Sequence, residues 1–322
     1  MARPFVAGHQ DQLMDVAYDF YSKRMATCSA DHTIKVFDKV ADTWQLSDSW
    51  RAHDAAVVKL SWAGPEYAQV IASASHDCVV KVWEEDTSET PGSGKRWKRK
   101  YTISDYGGPL YDIEFGSSYT GLKLASIASD GYLRIHEAMD PNNLGFWTQT
   151  AEIPLLNHPT ARQLQSAFSL SWARSLALKD YLAVSVLEDA FIYCRNEAGK
   201  YVRVAELSQH KGLIRDMQWA PNLGRSYNMI ATACKDGYLR LFKVTRVPGN
   251  GEEQTLNIDL VHESADHNGE VWRVAWNLTG TVLSSTGDDG KIRFWKSTYT
   301  GQFQNAAVVT SEQRQREGAV QI

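Results

Sequence analysis

Five aspartates in this chain stand at fixed distances from two other kinds of residue, and that regularity restricts the fold more than any other feature. Asp31, Asp77, Asp130, Asp236 and Asp289 are followed six residues later by Phe37, Trp83, His136, Phe242 and Trp295. Four residues before them stand the hydroxyls Thr27, Ser73, Ser126, Thr232 and Ser285. Upstream, His9, His53, His210 and His267 each precede an aromatic by nine residues: Tyr18, Trp62, Trp219 and Trp276. The stretches leading to those aromatics alternate apolar with polar, as half-buried strands do. The hydroxyl-to-aspartate offset also picks out Ser185 and Asp189, behind Trp172, as a sixth unit. Successive turn aspartates lie 46 to 59 residues apart. A helical solenoid would show a period near 3.6 residues, and none is present.

Each unit reads as two strands, a tight turn, a third strand and an outer strand. Outer strands are expected at 43–50, 97–103, 146–153, 201–207, 254–261 and 302–309. Six such sheets set radially make an all-β, six-bladed propeller. The expected blades lie near 9–50, 53–103, 106–153, 158–207, 210–261 and 267–309, in a single domain over residues 1–310. The polar tail 311–322 is expected to be disordered. The long approach to blade four, 157–168, is expected to be a mobile loop.

The recurring side chains suit a structural brace. A turn aspartate can accept hydrogen bonds from turn amides and from the histidine ring; the ring meets the Ser or Thr hydroxyl, which reaches the Trp indole. Such a chain satisfies several buried polar groups at once. Units two (His53, Ser73, Asp77, Trp83) and six (His267, Ser285, Asp289, Trp295) hold all four members. In units one and five Phe37 and Phe242 replace the indole, leaving His9, Thr27 and Asp31, and His210, Thr232 and Asp236. Unit three keeps Ser126 and Asp130 but has Tyr106 for His and His136 for Trp, and unit four keeps only Ser185 and Asp189. A Ser, His and Asp together invite a catalytic triad reading. A set that repeats at one place in successive sheets argues against it, because an active site occurs once. No nucleophile elbow, Walker loop or dinucleotide fingerprint is present, so no catalytic residue and no cofactor are expected.

Charge and composition narrow the partners. The net charge of -4 argues against nucleic acid as a direct ligand. The one basic run, Lys95-Arg96-Trp97-Lys98-Arg99-Lys100, follows the acidic Glu84-Glu85-Asp86 and reads as a solvated loop entering a strand. Cys28, Cys78, Cys194 and Cys234 show no metal-ligand spacing and read as reduced thiols of a cytosolic or nuclear protein, with no bound metal. No apolar run is long enough to span a bilayer, and the first residues are too short and polar for a signal peptide, so membrane association is expected only through an assembly.

Several stretches go beyond the generic repeat. Arg24-Met25-Ala26-Thr27-Cys28-Ser29-Ala30-Asp31, Gly121-Leu122-Lys123-Leu124-Ala125, Asn143-Leu144-Gly145-Phe146-Trp147 and the run from His267 to Thr281 lie in different blades. The most specific is Ala220-Pro221-Asn222-Leu223-Gly224-Arg225-Ser226, which no propeller repeat requires. With residues 8–309 matching the WD-repeat pattern, these segments resemble the Seh-type nucleoporins; the Sec-type coat propeller is the next relative.

That resemblance implies an open ring completed by an extra blade from an α-solenoid partner. It implies membership of the Y-shaped scaffold of the nuclear pore, with a share in protein import and mRNA export. It also implies a place beside SEA/GATOR-type subunits in a coat-like complex on the vacuolar or lysosomal surface that regulates TOR signalling. An outer vesicle-coat subunit and a peptide-reading adaptor are the alternatives. Only about eight residues precede His9, too few for a strand that latches the ring, which is consistent with openness. Phe5, Val6, Tyr299, Phe303, Val308 and Val309 are the candidate partner-blade junction.

Overall fold

The computed structural model describes residues 5–117, 120–156, 166–175, 178, 180–247, 255–299 and 301–310. The tail 311–322 and most of the approach to blade four (157–165) lie outside the described residues. Among those described there are twenty-four strands, no α-helix and one 3-10 turn, at Pro65–Tyr67. The strands form six antiparallel four-stranded sheets, each from consecutive strands, so that no sheet borrows a strand from elsewhere. The chain is therefore an all-β protein of six propeller blades.

Three blades make the first compact unit, residues 1–165. Blade one is β1 (Leu13–Tyr18), β2 (Arg24–Ser29), β3 (Thr33–Val40) and β4 (Thr43–Arg51). Blade two is β5 (Val57–Trp62), β6 (Val70–Ser75), β7 (Val80–Glu85) and β8 (Trp97–Ile103). Blade three is β9 (Leu110–Phe115), β10 (Lys123–Ala128), β11 (Tyr132–Ala138) and β12 (Trp147–Pro154). The second strand of each blade is where the packing is closest. β6 (VIASAS) and β10 (KLASIA) are buried throughout, and β6 has neighbouring sheets on both faces. Alanine and serine there let adjacent sheets approach, while Val, Ile and Leu on the flanking strands fill the space. One core joins Ala26, Ile34 and Val36 to Leu60, Trp83 and Trp97 of the next blade. Another joins Val70, Val80 and Val82 to Leu110, Ile113 and Leu124. Side chains also tie strands across blades: Asp15 accepts from the amide of Leu60 at 3.1 Å, and Asp112 pairs with Lys59 at 3.3 Å.

The second unit, residues 166–322, repeats the arrangement. Blade four is β13 (Phe168–Trp172), β14 (Tyr181–Val186), β15 (Asp189–Arg195) and β16 (Tyr201–Leu207). Blade five is β17 (Ile214–Trp219), β18 (Asn228–Cys234), β19 (Leu239–Val247) and β20 (Thr255–Ser264). Blade six is β21 (Val271–Trp276), β22 (Val282–Gly287), β23 (Lys291–Ser297) and β24 (Phe303–Thr310). Asp216 ties this unit together, taking Ser169 Oγ of blade four at 3.3 Å and the amide of Val274 of blade six at 3.0 Å. The outer strand of blade three begins at Trp147, not at 146, because Phe146 is an exposed loop residue. That of blade five extends to Ser264, following the long register of β19.

The chain departs from its own repeat in blade four. In the other five blades the brace hydroxyl pairs across the hairpin with a residue eight positions on, as in Ser73 with Lys81 and Thr232 with Arg240. Ser185 pairs with Ala190, only five positions on. The turn is three residues shorter, and Leu187 takes a left-handed φ of 57° within it. Asp189 thus opens β15 in an exposed position and braces nothing, although its spacing from Ser185 matches the pattern.

Candidate functional site

The brace is complete in blade two. His53 Nδ1 lies 2.9 Å from Asp77 and Nε2 lies 2.7 Å from Ser73 Oγ. The Trp83 indole donates to the same Ser73 oxygen at 2.9 Å. With Nδ1–H donating to the carboxylate, Nε2 accepts the hydroxyl proton, and one neutral tautomer satisfies every member. Burial lowers the His53 pKa and outweighs the carboxylate, which keeps the ring neutral. Blade six repeats the set: His267 lies 2.9 Å from Asp289 and 2.7 Å from Ser285, and the Trp295 indole donates to Ser285 at 2.8 Å. Burial alone would raise the Asp289 carboxyl, but hydrogen bonds from His267 and Arg293 outweigh it and hold the group at about 2.

Shortened sets follow the sequence. In blade one His9 reaches Asp31 at 3.0 Å and Thr27 at 2.8 Å, and Phe37 ends the chain. In blade five His210 reaches Thr232 at 2.9 Å, but its Nδ1 has no hydrogen-bond partner. Asp236 there takes the amides of Lys211 and Tyr238 and the guanidinium of Arg240. In blade three the Tyr106 hydroxyl meets Ser126 at 2.7 Å, while Asp130 is held by the amide of Gly107 and by Arg134. His136, in the tryptophan position, is buried with neither ring nitrogen hydrogen-bonded, and burial pushes its pKa down to about 4. In blade four Ser185 accepts from its neighbour Ser169 N at 3.1 Å.

One participant went unassigned in the sequence although its signal is there. Four residues after each turn aspartate, except Asp189, stands a cation: Lys35, Lys81, Arg134, Arg240 and Arg293. Arg134 joins Asp130 at 2.8 Å to Glu152 at 2.9 Å, and Arg240 joins Asp236 to Glu263, both at 2.8 Å. Arg293 bridges Asp289 and the carbonyl of Asp266. In blades three and five the arginine carries the brace from the turn to the outer strand. A charged residue flanked by apolar ones within a strand is the pattern that marks it.

Three of the five cations in the basic run are neutralised within their own blade. Arg96 pairs with Glu85 at 2.6 Å, Lys100 with Glu84 at 2.7 Å, and Lys98 with Asp86. Glu85 also takes Arg24 of blade one at 2.6 Å. None of the four cysteines forms a disulfide. Among the described residues no group of His, Cys, Asp and Glu is placed to hold a metal ion, and no helix is long and apolar enough to cross a membrane.

Of the candidate junction residues, Phe303 is a correction. It is 6% exposed, because at the start of β24 its ring turns onto Trp276 and His262. Val6 and Tyr299 are fully or mostly exposed, and Val308 and Val309 are half-exposed on β24. Phe5 is also exposed but sets its ring edge-on to Phe37, with centroids 4.9 Å apart. Blade one also exposes Leu13, Val16, Tyr18, Phe20, Tyr21 and Leu46. The corresponding inner strands β5, β9, β13 and β17 are mostly buried. Blade six exposes Trp272, Ile292 and Leu278.

A carboxylate, imidazole, hydroxyl and indole passing hydrogen bonds inside a four-stranded blade, complete in blades two and six and shortened in the others, is the arrangement of the WD-repeat propeller proteins. The family model for the WD domain, G-beta repeat, matches residues 4–38, 44–84 and 259–296, in the blades where His and Asp meet. The chain is 46% identical to Nucleoporin SEH1 of Saccharomyces cerevisiae, over 97% of its own length and 100% of that protein's. It is 41% identical to Nucleoporin seh1 of Schizosaccharomyces pombe, over 95% of each chain. It is 36% identical to Nucleoporin SEH1 of Homo sapiens, over 93% of its own length and 85% of that protein's. The chain belongs to the SEH1 nucleoporin family, whose propellers are structural and non-enzymatic, and its role is that of a nucleoporin scaffold.

Proposed function

We propose that the chain is the propeller subunit of the Y-shaped nuclear pore scaffold, and that an α-solenoid nucleoporin completes it by donating a seventh blade. The six blades then form one domain, an open ring whose first and last blades flank the donated one. Through this assembly the chain supports protein import and mRNA export. A second pool acts in the cytosol and on the vacuolar or lysosomal surface, within a SEA/GATOR-type complex that regulates TOR signalling.

The observation that carries this reading is the exposed apolar surface of blade one. In blade two the face bearing Trp83 packs against blade one. The matching face of blade one leaves Val16 38%, Tyr18 51% and Leu46 54% exposed. Large apolar side chains exposed on one blade mark an interaction site, and unpaired strand edges accept an added strand. The test is affinity capture from cells, with the wild-type chain beside a Val16→Asp, Leu46→Asp double variant. The wild type is expected to retain an α-solenoid nucleoporin stoichiometrically and the variant to lose it while melting at an unchanged temperature. Equal retention by both would remove blade one from the interface. A chain that retains no stable solenoid partner would end the proposal.

A further inference from the structure

We propose that blade two carries an oxyanion-binding site, formed by Lys81, Arg99 and Arg51, that takes an acidic side chain from a partner polypeptide. The reasoning starts from the brace. In blades three and five the strand cation is neutralised across the hairpin by an outer-strand carboxylate: Glu152 faces Arg134, and Glu263 faces Arg240. At the same register blade two sets the neutral Thr102 opposite Lys81. Lys81 donates instead to the carbonyl of Ala52 at 2.8 Å, a contact that leaves its charge uncompensated.

Outer strand β8 adds charge of the same sign. Arg99 pairs in register with Trp83, is exposed, and makes no ion pair among the described residues. Its neighbours in the basic run behave differently, since Arg96, Lys98 and Lys100 all engage carboxylates of β7 and the loop after it. Arg51, at the end of β4, reaches over the same place; its side chain is 67% exposed, and its carboxylate contact is Asp54 at 3.6 Å. These three cations, with Ala52, His53, Asp54 and Trp83, line a cavity of about 380 Å³. The brace carboxylate Asp77 is already engaged by His53 at 2.9 Å. A planar guanidinium beside an ammonium, over the rim of an indole, fits a carboxylate or a phosphate. The cavity holds one side chain and not a duplex, so the ligand is an acidic residue on a peptide. That residue is genetically acidic or phosphorylated, and the chemistry recognised is the same.

The test uses fluorescence anisotropy on the intact chain with three labelled peptides identical except at one central position: Ser, Glu or phosphoserine. The Glu and phosphoserine peptides are expected to bind in a salt-dependent manner and the Ser peptide not to bind. Phosphoserine binding tighter by about tenfold or more identifies a phosphorylated partner, and equal affinity a genetically acidic one. Arg99→Ala is expected to weaken binding by about tenfold, the loss of one charge-assisted hydrogen bond. Thr102→Glu supplies the missing carboxylate in cis, as in blades three and five, and is expected to abolish binding while the melting temperature holds or rises. Thr102 and Arg99 are both exposed, so neither change threatens folding. If all three peptides bind alike, or if both variants bind as the wild type does, the site does not exist.

Discussion

At the scale of single residues, the same side chain matters or not according to the turn that holds it. Asp77 accepts from a histidine that is 1% exposed, and removing it leaves the Nδ1–H of His53 buried without an acceptor. Asp77→Ala is expected to cost about 1–3 kcal/mol, the penalty for an orphaned buried donor. Asp189→Ala is expected to fall within about 0.5 kcal/mol of wild type, because Asp189 is exposed. Chemical denaturation of the two variants side by side checks the pair, and equal losses would show that spacing rather than turn length assigns the brace. The histidines add a pH dependence. Burial holds His136 and His210 near 4, below the ordinary value of about 6.5. The unfolded chain therefore binds more protons between those values. The stability these residues contribute is complete above about pH 6.5 and is lost as pH falls toward 4. Because neither ring nitrogen of His136 is hydrogen-bonded, His136→Phe is expected to raise the melting temperature at pH 5 more than at pH 7.5. A rise that does not depend on pH would show that packing alone is responsible.

At the scale of strands and blades, charge placement does work that apolar packing does not. Glu85, whose side chain is 4% exposed, sits between Arg24 of blade one at 2.6 Å and Arg96 of its own blade at 2.6 Å. Arg24 also meets Asp38 at 2.7 Å and lies over the Trp97 ring at 5.6 Å, so one carboxylate fixes the register of two blades. Burial would raise the Glu85 carboxyl, yet hydrogen bonds from Arg24 and Arg96 keep it below the usual range. Glu85→Gln is expected to cost about 3 kcal/mol by leaving two cations without their shared counter-charge. Calorimetry on Glu85→Gln and on exposed Glu197→Gln separates that effect from a general loss of charge. Much of this level was legible in the sequence: the strand order, the complete braces of blades two and six, and the entry of the basic run into a strand. The failure of the Asp189 brace in blade four was not, because a three-residue shortening of the turn leaves the offset from Ser185 to Asp189 unchanged while moving the aspartate out of the turn. The burial of Phe303 is hidden in the sequence for a related reason. An aromatic at the start of an outer strand has the same pattern whether it turns toward Trp276 or toward solvent, and only the fold decides. The cations four residues after the turn aspartates were visible in the sequence, but their role appears only when the outer-strand glutamates are seen across the register.

At the scale of the whole molecule, each compact unit holds three blades joined by continuous apolar cores, and the uncovered apolar surface gathers on the first and last blades. A partner that binds the folded chain and not the unfolded one stabilises it by mass action, by about 2.7 kcal/mol when its free concentration is one hundred times its Kd. For a protein of this size each kcal/mol moves the melting temperature by about 2–4 °C. The co-purified complex is therefore expected to melt several degrees above the isolated chain, with the increment growing as partner is added in excess. Val16→Asp with Leu46→Asp is expected to leave the isolated chain's melting temperature in place and to cancel the increment, since both side chains already face solvent. Differential scanning calorimetry at two partner ratios makes the distinction. An increment that survives the double variant would move the stabilising contact away from blade one, to the exposed Trp272 and Ile292 of blade six or to the loops. No increment at any ratio would mean that the exposed face of blade one is not where the chain joins its assembly.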